Sequence, residues 1–129
     1  MQTIVVDTDI AIDYLRGISY AKELMVSLWE NSLAYLSILS VYELYAGMKE
    51  TEKEDTENFI NVCNIDFITY EIARKGGELY QTYRKKGITF TSVDCLIAAT
   101  AVINRHKIAT KNTEHYPDKN ILVSHDNYY

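Results

Sequence analysis

The chain has 129 residues and a mass of 14.9 kDa, the size of one domain, so residues 1–129 read as a single unit. It is 47 % hydrophobic and 24 % charged with one Pro and five Gly, which excludes a disordered or collagen-like chain. No apolar run of about 18 residues spans a membrane, Met1 to Asp7 lacks the basic start of a signal peptide, and Cys63 and Cys95 do not make a disulfide framework. The expected setting is therefore the cytoplasm, with reduced thiols and no membrane. The net charge of −5 argues against a general phosphate binder. It is unevenly spread, however: residues 49–58 carry a local −3, whereas residues 74–86 carry +4 and residues 105–119 carry +2.

In chain order, Thr3-Ile4-Val5-Val6 is a short β-branched run and reads as a buried strand. Residues 9–16 read as a helix stopped by Gly17. Ser19 is placed to cap a second helix, whose Leu24, Met25 and Leu28 form one apolar face. Residues 33–36 are the next strand. Ser40 is expected to open a helix carrying Val41, Leu44, Tyr45 and Met48, and the charged fifties form an exposed helix to Cys63. Residues 65–68 are a third strand, with Asp66 at its start. Thr69 caps a long helix to about Lys86, and Ser92 caps another to about Asn104. Residues 107–110 and 121–123 are the last two strands. Strands alternating with helices define an α/β protein: a three-layer α/β/α sandwich around a parallel sheet of about five strands.

Ligands of such sheets sit beyond the carboxyl ends of the strands. Asp7 and Asp9 follow the first strand directly, and each can cap a helix. Glu43 lies three residues after Ser40 in a capping-box pattern. Asp94 sits in the first turn of the most apolar helix, where the dipole favours an anion. If Asp7, Glu43 and Asp94 meet at one end of the sheet, two charges 4 Å apart repel by about 4 kcal/mol at an effective dielectric of about 20. A protein tolerates that by raising a pKa or by binding a cation. Oxygen ligands without His or Cys in register suit Mg²⁺ or Mn²⁺, and such an ion activates water at a phosphodiester.

Four stretches carry a resemblance that makes this specific. They are Ile4 to Asp9; Leu36 to Leu44 with Gly47; Thr91 to Ala99; and Ile108 to Asn112 with His115-Tyr116. In this order and spacing the chain resembles a PIN domain, and within that family a VapC-type toxin ribonuclease. The resemblance implies Mg²⁺- or Mn²⁺-dependent cleavage of RNA, a homodimer, and a small antitoxin partner whose segment fills the acidic groove. It also matches Asp7, Glu43 and Asp94 to the family's metal-binding acids, and Thr8 and Ser40 to its small polar residues near the metal. Two departures stand out. A fourth acid common in relatives is missing at Asn112 and at His115, and Asp9 stands where Ser or Asn is frequent. Asn112 can hold a water or phosphate, and Asp9 is an additional candidate ligand.

Arg74, Lys75, Arg84, Lys85 and Lys86, with Lys111, are the candidate RNA-backbone contacts, and Tyr83 lies among them. Tyr80 reads as core edge. Gly76 and Gly77 inside that helix imply close packing or a local break. His106, His115 and His125 have no metal spacing and read as surface or loop residues, His115 being of interest for its motif position. A phosphorylation receiver domain would need an Asp at the end of the third strand, which the placing of Asp66 denies. A catalytically inactive PIN-like module that binds RNA or a protein is the non-enzyme alternative.

Overall fold

The computed structural model describes residues 1–123, so His125 lies outside the described residues. Strands β1 (Ile4–Val6), β2 (Ala34–Ser37), β3 (Asn64–Asp66) and β4 (Lys107–Ala109) form one parallel sheet in the order β3-β2-β1-β4. Among the described residues six α-helices connect and cover them: α1 (Thr8–Leu15), α2 (Ser19–Glu30), α3 (Ile38–Gly47), α4 (Lys53–Val62), α5 (Tyr70–Lys85) and α6 (Ser92–Asn104).

Alternation along the strands sorts the core into two layers, because successive strand side chains point to opposite faces. Ile4, Val6 and Leu36 pack with Ile10, Leu24, Met25, Leu28, Leu44 and Phe59 of α1 to α4. Val5 and Ile108 pack on the other face with Cys95, Ile97, Ala98 and Ala101 of α6 and with Tyr116. In the first layer Tyr14, Trp29 and Phe59 meet at ring separations of 5.2 to 5.6 Å. Truncating a buried Phe such as Phe59 to Ala costs about 3–5 kcal/mol.

The sheet has four strands among the described residues, not the expected five. Lys119–Ile121 winds into a 3₁₀ turn, capped by the Asp118 carboxylate on Asn120 N at 2.9 Å. That turn takes up Ile121, the first of residues 121–123 expected to extend, and leaves only Leu122 and Val123 beyond it. What remains is one parallel bridge between Ile108 and Leu122, with Val123 N donating to Ile108 O at 3.0 Å.

The helix starts also differ from expectation. Ser37, not Ser40, caps α3, its hydroxyl accepting from Leu39 N at 3.1 Å. Thr91, not Ser92, caps α6 by accepting from Asp94 N at 3.1 Å. Ser19 is the first residue of α2 and makes no cap; Ile18 precedes it. Asp7 caps α1, accepting from Thr8 N at 2.8 Å, and Thr69 caps α5 as expected. Gly17 ends α1 with φ +78°, a conformation that glycine adopts without steric cost.

His106 lies in the connection from α6 to β4, a loop as expected, but it is buried and not a surface residue. Its Nδ1 lies 2.6 Å from the Thr3 hydroxyl, its Nε2 lies 3.0 Å from Asp66, and its ring sits 4.4 Å from that of Tyr35. Asp66 ends β3 instead of beginning it, since strand pairing stops at Ser37↔Asp66 and the next residue, Phe67, is exposed. Its carboxylate accepts from Asn104 Nδ2 at 3.0 Å and faces His106, and so is held within the fold.

Candidate active site

Four segments converge beyond the carboxyl ends of the strands: the turn from β1 into α1, the stretch of α3 from Ser40 to Glu43, the first turn of α6 and the loop after β4. Asp7 leaves β1 as the N-cap of α1 and is buried. Its Oδ1 accepts from Thr8 N at 2.8 Å, and its Oδ2 accepts from the Thr110 hydroxyl at 2.8 Å and the Tyr116 hydroxyl at 3.2 Å. Burial and the neighbouring Asp9 charge push its pKa from 3.8 to about 6, with Asp94 adding to the rise.

Asp94 lies in the first turn of α6 with its side chain 17 % exposed. Thr91 already caps that helix, so Asp94 is not consumed as a cap. Its Oδ1 is 3.5 Å from the Tyr116 hydroxyl, and its Oδ2 is 3.9 Å from His115 Nδ1. Glu43 lies inside α3, and with Ser37 as cap it forms no capping box with Ser40. The Thr8 hydroxyl reaches both, 2.8 Å from Glu43 Oε1 and 2.9 Å from Ser40 Oγ. Asp7 and Asp94 are thus joined through Tyr116, while Glu43 is joined to the Asp7 turn through Thr8.

Asp9 is differently placed. Its Oδ1 accepts from Ile10 N at 2.7 Å. Its Oδ2 accepts from Lys111 N at 2.9 Å, Asn112 Nδ2 at 3.1 Å and the Thr110 hydroxyl at 3.3 Å. These donors tie the loop after β4 to α1. Burial raises the Asp9 pKa in spite of them.

Of the candidate RNA contacts, Arg74, Arg84 and Lys85 are exposed on α5 and Lys86 at its C-cap, and Lys75 is half-buried. Arg74 pairs with Glu78 at 3.2 Å, Arg84 lies 5.4 Å from the Tyr80 ring centre and Lys86 lies 5.7 Å from that of Tyr83. Lys111 is engaged elsewhere, with Nζ 2.7 Å from the buried Asp13 carboxylate. A cleft of about 280 Å³ opens beside Glu43, lined in part by Arg16, Met48, Lys49 and Glu52. Sequence reasoning gave no role to Thr110 or Tyr116. Their only signal was position, in the stretch following β4.

Among the described residues no three His, Cys, Asp or Glu side chains stand close enough to form a ready-made metal cage. The donor chemistry nonetheless fits a hard cation. Mg²⁺ keeps several waters and uses one or two carboxylates instead of an all-protein cage. A buried Asp7 next to Asp94, with hydroxyls packed around them, supplies such a pair.

The fold and site define a parallel α/β sandwich with a cluster of acids beyond the carboxyl ends of its strands. The chain belongs to the PIN domain family, which matches residues 4–121. It is 38% identical over 113 residues to Ribonuclease VapC19 of Mycobacterium tuberculosis, covering 87% of this chain and 90% of that protein. It is 32% identical over 114 residues to Ribonuclease VapC10 of the same organism, covering 88% and 86%. Its fold is similar to that of a VapBC complex from Salmonella typhimurium bound to DNA, with TM-score 0.82, 19% identity and coverage of 95% of this chain and 96% of that one.

Proposed function

We propose that this chain is a divalent-metal-dependent endoribonuclease and the toxin of a toxin–antitoxin pair. The observation that carries the reading is the Asp7–Tyr116–Asp94 link, in which two carboxylates on different elements share one donor at the end of the sheet. The likeness to relatives named Ribonuclease VapC supports the reaction class.

In this reading Asp7 and Asp94 hold Mg²⁺ or Mn²⁺, and Glu43 completes the site from α3. The cation, when bound, supplies an activated water and neutralises charge at the phosphodiester. Thr8 and Ser40 orient Glu43, which in turn orients the attacking water. Asp9 acts through the loop it secures, keeping Thr110 against Asp7 and Asn112 beside the site, and is not itself a ligand. Arg74, Lys75, Arg84, Lys85 and Lys86 guide the RNA backbone by charge, with aromatic faces of Tyr80 and Tyr83 between them. An antitoxin partner agrees with the structural neighbours, one of which is described as a toxin–antitoxin complex from Klebsiella pneumoniae. The homodimer and the cytoplasmic setting belong to the same proposal. Among the described residues no helix is long and apolar enough to cross a membrane.

The test is single-turnover cleavage of RNA with Mg²⁺, with Mn²⁺ and with EDTA, alongside melting curves. Cleavage that stops in EDTA is expected. Metal should stabilise the fold by about 2.7 kcal/mol at a hundredfold excess over Kd. Cleavage undiminished by EDTA would sink the metal mechanism, and RNA binding without cleavage under any metal would favour the non-cleaving module.

A further inference from the structure

We infer that Tyr116 is a positioning residue for the cation, its hydroxyl holding Asp7 and Asp94 in register so that both face one shared space. The inference rests on the metal site proposed above. Asp7 follows β1 as the N-cap of α1 and Asp94 lies in the first turn of α6, so no backbone hydrogen bond between them sets their separation. The Tyr116 hydroxyl touches both, at 3.2 Å from Asp7 Oδ2 and 3.5 Å from Asp94 Oδ1. One phenol carries one proton, so it donates to a single carboxylate at a time. The other oxygen then faces a lone pair, an arrangement that a cation relieves.

The phenol is a fixed reference point because its ring is held. Tyr116 is fully buried, stands edge-on to Phe90 at 5.8 Å, and Phe90 stands edge-on to Tyr83 at 5.4 Å. Its backbone N–H donates to Thr113 O at 3.2 Å. Asp7 has a second hydroxyl donor in Thr110, whereas among the described residues the Asp94 carboxylate has beside Tyr116 only the exposed His115 ring, at 3.9 Å. Asp94 therefore depends on Tyr116 for its orientation more than Asp7 does. Groups that orient ligands in this way typically change metal affinity by roughly 10–100-fold when removed.

The experiment is Mn²⁺ titration of the full chain by electron paramagnetic resonance, for wild type, Tyr116→Phe and Asp94→Asn, with RNA cleavage followed across Mn²⁺ concentration. Phe keeps the ring and its contact with Phe90, so the variant should fold, and the melting temperature without metal checks this. Tyr116→Phe should bind Mn²⁺ roughly 10–100-fold more weakly, and cleavage should recover as Mn²⁺ is raised. Affinity unchanged or tighter in Tyr116→Phe, with Asp94→Asn impaired, overturns the inference and leaves the metal site standing. A cleavage defect that saturating Mn²⁺ does not restore assigns Tyr116 to the chemistry and also overturns it. Wild-type affinity in Asp94→Asn as well removes the metal site itself and the inference with it.

Discussion

Lys111 Nζ lies 2.7 Å from Asp13 Oδ2, and this pair ties the loop after β4 to the buried side of α1. Asp13 also accepts from the Tyr20 hydroxyl, and Ile18 N donates to its carbonyl at 3.0 Å. A lysine committed to a buried carboxylate is a poor phosphate contact, which separates Lys111 from the basic residues of α5.

The two roles are distinguishable by salt. Lys111→Met should cost about 1 kcal/mol, the low end for a carboxylate left short of a partner, because the lysine is half exposed. It should leave the salt dependence of RNA binding unaltered. Neutralising Lys85 and Lys86 should instead shrink the log–log salt slope by roughly 0.7 for each lost contact to single strands. Equal slopes in wild type and the double variant would return α5 to a solvated face.

Asp94→Asn and Glu43→Gln should each abolish cleavage by orders of magnitude while leaving the metal-free fold as stable as before, or more so. Thr91 and Ser37 are the caps of α6 and α3, so neither substitution removes a cap. Relief of like charge near Asp7 favours Asp94→Asn. Melting temperature without metal and single-turnover rate, measured together, check this; near-normal rates in both variants would exclude these residues from the chemistry.

Stability without metal should fall as pH rises from about 4 to 6. Burial and the Asp9 charge raise the Asp7 pKa from 3.8 to about 6. In that window the folded state binds more protons than the unfolded one, so the stability slope with pH is negative. The span corresponds to on the order of 3 kcal/mol. Asp9, raised by burial, adds in the same direction. Urea midpoints from pH 4 to 7 should show the slope in wild type and a smaller one in Asp7→Asn, since Asn caps α1 about as well as Asp.

Gly76 and Gly77 should respond differently to alanine. A Cβ on Gly76 would meet Leu96 Cδ2 at 2.9 Å across the α5–α6 contact, whereas nothing lies within 4 Å of one on Gly77. Gly77→Ala should stabilise by about 1 kcal/mol through helix propensity. Gly76→Ala should lose most or all of that gain by displacing Leu96. Thermal melts of the two variants decide; equal gains would deny the close approach.

The sequence alone determined what depends on near neighbours. Ile4-Val5-Val6 is a strand and residues 92–104 a largely buried helix because their apolar runs are local. Asp7 and Thr8 fall at a strand end because the chain has to turn there. Cap identity was less readable: Ser37 and Ser40, like Thr91 and Ser92, are chemically alike, and only the φ/ψ of the turn chooses between them. The fifth strand, expected over residues 121–123, shrank to the single Ile108–Leu122 bridge because the Asp118-capped turn takes Ile121, and local apolar content does not report that competition. His106 looked solitary because its partners, Thr3 and Asp66, are distant in sequence. The same holds at the site. Thr110 and Tyr116 stand 103 and 109 residues from Asp7, so only closure of the parallel sheet, with β4 beside β1, brings their hydroxyls onto its carboxylate.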